Sequence, residues 1–254
     1  MIMGVGRIQF LAGLATCGLG GLMAQPIEPS IATHTAGLAP FGLAGSTALH
    51  PAWHYSGLPG KKGPPGTRFE SVTLANESVL KVSTDKSYGV LTHAWNGPTP
   101  DQLAWRWRVD THLEHADLAT KAGDDAALKV CLMFNQPATD IPFLQRAALA
   151  LARTASGQDL PSATLCYVWD NRYPALTQGA NPYSARVRYI VLQGPDTPTG
   201  QWVTQRRRVV DDFQRLFGQE SPLTPPVLAV AVGADSDNTQ GQSLAYLGQL
   251  RWLP

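Results

Sequence analysis

Apolar and polar residues alternate with a period of two in several stretches of this chain. Leu103, Trp105, Trp107 and Val109 fall on one side of a strand, and Arg106, Arg108 and Asp110 on the other. Residues 78–83 alternate in the same way. Residues 128–134 and 165–169 are apolar on both faces, as central strands are. Residues 187–192, 202–210, 227–233 and 246–252 complete a set of about eight strands without intervening helices, which predicts a β-sandwich. Two stretches break the pattern. Asp140 followed by Pro142 predicts a helix N-cap and first turn, with Phe143, Leu144, Ala147 and Leu151 on one helical face to about Thr154. Residues 211–217 predict a second, short helix that starts on acids and ends at Gly218. The expected architecture is all-β with one or two short helical insertions.

The first residues read differently. Arg7 precedes an apolar run from Phe10 to Ala24, and Ala24-Gln25-Pro26 offers a cleavage junction; residues 1–24 are therefore expected to be an export signal. The run is too short and glycine-rich for a membrane span. Leu14, Ala15, Thr16 and Cys17 stand one residue from a lipid-attachment box, so a lipid anchor through Cys17 is the variant reading. Residues 25–65, rich in Pro, Gly, Ala and Thr, read as a tether on which Trp53 and Tyr55 dock against a domain of residues 66–254. The spacing of His34, His50 and His54 matches no standard metal-ligand set. The expected location is periplasmic or secreted, with no transmembrane span once the signal is removed.

Composition narrows the function classes. The chain of 254 residues carries a net charge of +1 and 15% charged residues, giving no basic excess for nucleic acid. Of its 3 cysteines, Cys131 and Cys166 remain after cleavage at Ala24, and two thiols in an exported protein allow one disulfide.

The candidate chemistry is acidic and sits at strand ends. Asp235, Asp237 and Asn238 follow the apolar strand that ends at Gly233; Asp124 and Asp125 precede another; Asp170 closes a third, with Arg172 beyond it. Antiparallel neighbours would bring these tips to one end of a sheet. If Cys131 sits opposite Cys166, then Trp169 faces Leu128 and Arg172 faces Asp125. Asp235, Asp237 and Asn238 offer alternating oxygens of the kind Ca²⁺ takes, although the later glycine and bidentate glutamate of a calcium loop are missing. The competing reading is a turn whose Asp and Asn bond their own backbone. Asp124, Asp125, Trp169, Asp170, Arg172 and Tyr183 form the candidate ligand set: carboxylates for hydrogen bonds, aromatic rings for stacking on sugars. The competing reading is that the aromatics, and Trp169 on its central strand above all, are core. His112-Leu113-Glu114-His115 reads as surface, and motifs for nucleophilic or phosphate chemistry are missing.

Several separated motifs come in one order: Trp105 to Val109, Gly123 to Asp125, Leu165 to Trp169, Trp202, Arg208 to Phe213, Phe217-Gly218, Asp235 to Thr239 and Ala245 to Gly248. In this the chain resembles the exported bacterial family known as domain of unknown function 3047, over roughly residues 65 to 254. The resemblance implies a jelly-roll sandwich like galactose-binding or lectin domains, and no established activity. Cys166 departs from the polar residue expected there, a change that points to pairing with Cys131. The function expected on these grounds is non-catalytic binding of a carbohydrate or other polar envelope component. A carboxylate-based glycan hydrolase or lyase and a structural envelope protein are the alternatives.

Overall fold

A computed structural model describes residues 37–43, 45–57 and 63–253. The expected signal, Cys17, His34 and the first part of the tether lie outside them. Twelve strands and two α-helices are present among the described residues. In chain order they are β1 (Trp53–Ser56), β2 (Arg68–Leu74), β3 (Glu77–Asp85), β4 (Tyr88–Ala94), β5 (Gln102–Thr111), β6 (Ala126–Phe134), α1 (Phe143–Ser156) and β7 (Ala163–Trp169). Then follow β8 (Gln178–Asn181), β9 (Ser184–Gln193), β10 (Val203–Arg208), α2 (Val209–Phe217), β11 (Val227–Asp235) and β12 (Gln242–Leu253).

They form a two-sheet β-sandwich. One sheet has the order β1-β4-β11-β6-β7-β9-β8, the other β10-β5-β12-β3-β2. Every pairing is antiparallel except β7 with β9. The alternation in β5 does what its pattern dictates. Leu103, Trp105, Trp107 and Val109 are buried between the sheets, while Arg106 pairs with Glu77 and Arg108 with Asp110 on the outer side. The centre of the core is aromatic: Trp105 meets Trp107 at 5.5 Å and Tyr167 at 5.2 Å, and Trp107 meets Trp169 at 5.6 Å.

A second apolar layer covers the outer face of the seven-stranded sheet. Cys131, Cys166, Val168, Tyr189, Val191 and Ala231 point outward there and are capped by Leu118, from the loop between β5 and β6. Cys131 lies directly opposite Cys166 in the β6–β7 register, and Leu128 opposite Trp169. The two cysteines form a disulfide across a Cα separation of 4.0 Å, the close approach of directly opposed residues in an antiparallel pair.

The fold begins earlier than composition indicates. Residues 37–57 contain an edge strand: β1 pairs with β4, Trp53 is buried against Phe41 at 4.8 Å, and its indole N–H donates to the Ala39 carbonyl. Tyr55 stays exposed, with its hydroxyl on the Tyr88 carbonyl. Strands β1, β2, β4 and β8 are absent from the sequence-based set; β1, β2 and β8 are edge strands, which need only one apolar face, and β4 lies inside the sheet between β1 and β11.

Helix α1 corrects the expected cap and shows which way its apolar face lies. Its N-cap is Pro142, and Asp140 instead accepts a hydrogen bond from the Ser221 hydroxyl. Its apolar stripe of Phe143, Leu144 and Leu151 points to solvent, because the docked side is the opposite one, through Leu149. Helix α2 packs into the core: Phe213 meets Phe134 in a tilted contact at 4.7 Å and stacks on Phe217 at 5.1 Å. Its Asp212 is buried and held by Arg207 and the Tyr167 hydroxyl.

Candidate functional site

The acidic tips meet because β11 runs antiparallel to β6 and β6 antiparallel to β7. Asp235 is paired with Ala126, and Leu128 with Trp169, so the exits of β7 and β11 and the entry of β6 share one end. The loop of residues 112–125 folds over that end and down the outer face. Its turn is closed by Asp117 N–H donating to the Gly123 carbonyl at 2.7 Å. Gly123 is required there, since a Cβ would stand 2.8 Å from the Asp117 backbone nitrogen and Cβ.

Most of the carboxylates are spent on holding these loops. Asp125, 1% exposed, accepts from the Asn238 and Thr239 backbone N–H groups at 3.2 and 2.6 Å and from the Thr239 hydroxyl at 2.6 Å. One buried carboxylate thus shapes the β11–β12 turn. Asp235 accepts from Ala126 N–H at 2.8 Å and from Lys129 Nζ at 2.6 Å. Burial pushes the Asp235 carboxyl up to about 6, against the pull of the ammonium. Burial penalises the Lys129 ammonium too, but the facing Asp235 carboxylate holds it above its ordinary range.

Asp170 is buried and accepts from Arg172 and Tyr173 N–H at 2.7 and 2.5 Å, as a turn-forming aspartate does. Burial still pushes its carboxyl up. Arg172 lies toward Asp117, at 3.6 Å, rather than toward Asp125 as the register argument expected, because the turn at Asp170 swings it outward. Asp117, which the sequence reading missed, takes the Tyr173 hydroxyl at 2.6 Å, and that bond holds its carboxyl below the usual range. The signal was present in hindsight as an Asp two residues after His115, but nothing local marks its partner fifty-odd residues away.

The turn between β8 and β9 reaches the same cluster. Asn181 Nδ2 donates to Asp124 at 2.6 Å, and the Tyr183 hydroxyl approaches the Lys121 carbonyl at 3.0 Å and Asn238 Oδ1 at 3.2 Å. Tyr183 is exposed, with Lys121 Nζ 5.2 Å from its ring centre. Trp169 is 1% exposed and packed among Trp107 and Leu128, so its ring is a core element and not a stacking platform. A central strand with both faces covered leaves no other place for it.

The three side chains considered for Ca²⁺ are differently placed. Asp235 turns inward to Lys129; Asn238 bonds Asp124, Asp125 and Tyr183; Asp237 keeps one buried oxygen without a protein partner. Burial and the nearby Asp125 push the Asp237 carboxyl up. Among the described residues no group of three or more His, Cys, Asp and Glu is arranged to hold a metal ion.

Beside this knot lies a pocket of about 230 Å³ between residues 112–115 and residues 239–242. His112, Glu114 and His115 face Thr239, Gln240 and Gln242 across it. His112 is half-buried, 6.4 Å from the Trp169 ring, and burial pushes its imidazole down while Asp170 opposes the shift. A second polar–aromatic surface lies elsewhere, on the outer face of the five-stranded sheet. There Arg106 stacks over Trp202 at 4.3 Å and Arg108 over Tyr246 at 5.0 Å.

The fold and this loop-built end define a two-sheet β-sandwich domain with a polar tip. The chain belongs to the family described as proteins of unknown function, DUF3047, whose profile matches residues 51–251. The resemblance read from the motifs is thereby confirmed, and the match starts within the N-terminal segment that carries β1. No curated protein sequence matches the chain. Among solved structures, it is similar to the xyloglucanase domain of NopAA, a type three effector from Sinorhizobium fredii in complex with cellobiose. That likeness has 11% identity and a TM-score of 0.42, covering 80% of this chain and 94% of that one. It is also similar to the K2 cleaved adhesin domain of Lys-gingipain, with 9% identity, a TM-score of 0.36 and coverage of 86% and 98%.

Proposed function

We infer that this protein is an exported, non-catalytic binding module for a carbohydrate or other polar envelope component, engaged at the loop end of the sandwich. The observation that carries the reading is the pocket between residues 112–115 and 239–242, beside the exposed Tyr183. Two imidazoles, a carboxylate and two amides offer both donors and acceptors, which hydroxyl-rich ligands require. At about 230 Å³ the pocket is smaller than the ~300–1,000 Å³ that drug-sized ligands occupy, and it suits one sugar ring or chain end. The buried carboxylates beside it hold loops through protein hydrogen bonds, which supports binding over acid–base chemistry.

The test is binding of the purified chain to an array of immobilised glycans, with and without Ca²⁺. The substitutions Glu114→Ala and Gln242→Ala, both at exposed positions, should weaken binding by about tenfold, the ratio given by ~1.4 kcal/mol of lost hydrogen bonding. Unchanged binding in both variants would move the site elsewhere. Release of shorter sugars during incubation would favour the hydrolase or lyase reading. Binding that requires Ca²⁺ would bring the metal reading of Asp235, Asp237 and Asn238 back.

A further inference from the structure

Helix α1 carries its apolar stripe on the wrong side for a helix stabilised by its own domain. It docks through Gln145, Leu149 and Arg153, spaced along one arc. Gln145 accepts from Arg186, Leu149 is buried, and Arg153 donates to the Leu160 carbonyl. The opposite arc presents Phe143, Leu144 and Leu151, which are 72%, 79% and 71% exposed. Leu223, 79% exposed, belongs to a loop tied to the helix start through the Ser221 hydroxyl, which sits between Asp140 and the Leu223 carbonyl. Three large side chains on one solvent-facing stripe leave the helix with an apolar face that its own domain does not cover.

We propose that this stripe of α1 lies on a lipid bilayer, with Phe143, Leu144 and Leu151 in the headgroup–acyl boundary. Two features of the helix select that occupant. The first is area. Fourteen residues make a helix about 21 Å long and about 10 Å across, so the stripe offers on the order of 200 Å². A stable protein interface takes about 800 Å² from each partner. A bilayer needs no matching shape and binds in proportion to apolar area. The second is charge. Within α1 the only charged side chains are Arg146 and Arg153, with no acid. Arg153 is held on the docked side, while Arg146 is exposed at the edge of the stripe, its guanidinium 5.7 Å from the Phe143 ring centre. A cation on the rim of an apolar stripe is placed to meet lipid phosphates. The inference is independent of the proposed glycan pocket, which uses other residues.

Hydrogen exchange read along the full chain tests it, because the readout is local to residues 143–156 and separates α1 from the apolar N-terminal run. Vesicles of phosphatidylethanolamine with phosphatidylglycerol should slow exchange in α1 by about tenfold or more, with a smaller effect from phosphatidylcholine alone. The double substitution Leu144→Ser and Leu151→Ser should abolish that protection and leave exchange in β6 and β7 unchanged, which also shows that the variant is folded. No protection by either vesicle would overturn the proposal. So would protection without lipid that grows with protein concentration, the mark of a second copy. Lipid-free protection that disappears when residues 1–24 are removed would assign the stripe to the chain's own N-terminal run, and would overturn it as well.

Discussion

Asp235 and Lys129 show how a single pair can set the stability of the loop end. The two side chains are 2.6 Å apart and largely withdrawn from water. Removing one partner from such a pair leaves the other charge without compensation, so Asp235→Asn should cost about 3–5 kcal/mol in a denaturant titration. Adding Lys129→Met to that variant should recover most of the loss, because the pair as a whole gives back in attraction little more than it loses in desolvation. The pH dependence has contributions of both signs, and Asp235 and His112 are an opposing pair among them. Asp235 has a folded pKa of about 6 against an ordinary 3.8, so the stability it contributes is full below 3.8 and is lost as pH rises through 6. The His112 imidazole is held below 6.5, so its contribution is full above 6.5 and is lost as pH falls through the folded value. With His112→Asn only the acid contributions remain. The melting temperature of that variant should therefore gain on the unsubstituted protein as pH falls from 6.5 to about 5. Parallel curves across that range would remove His112 from the account.

Among the elements, the β6–β7 pair carries the strongest local constraint. The disulfide closes a span of 35 residues that includes α1. Breaking it by Cys166→Ser should lower stability by about 2–5 kcal/mol, measured against the same protein without reductant. Strand β1 depends on one residue. Trp53 fills a site lined by Phe41 and His93, and Trp53→Ala should cost about 3–5 kcal/mol if residues 37–57 are integral to the fold. A loss below about 1 kcal/mol would return that segment to the status of a tether. Helix α1 shows why an amphipathic pattern alone does not say which way a helix faces. Its periodicity marks a stripe, but Leu149 and the polar contacts to Arg186 and Leu160 decide which arc meets the sheet.

For the whole molecule, the sequence by itself determined the sandwich class, the family, the inward and outward faces of β5 and the two-sided burial of β6 and β7. Each of these follows from a local rule: a strand alternates with a period of two, and a strand covered on both faces is apolar throughout. The register between Cys131 and Cys166 was equally legible, because one fixed pair in an antiparallel ladder fixes the rest. Only the tertiary structure decided what the acidic tips do. Whether Asp125 meets a ligand or the backbone of Thr239, 114 residues away, depends on which strands are neighbours. The same holds for Asp117 with Tyr173 and for Asp124 with Asn181. The apolar run of 165–169 already indicates that Trp169 is core; the tertiary structure adds what covers its strand, the second sheet on one side and the loop of residues 112–125 on the other. Local periodicity is encoded residue by residue, whereas the meeting of loops is set by long-range pairing, and the chemistry of this protein's polar end is made of such meetings.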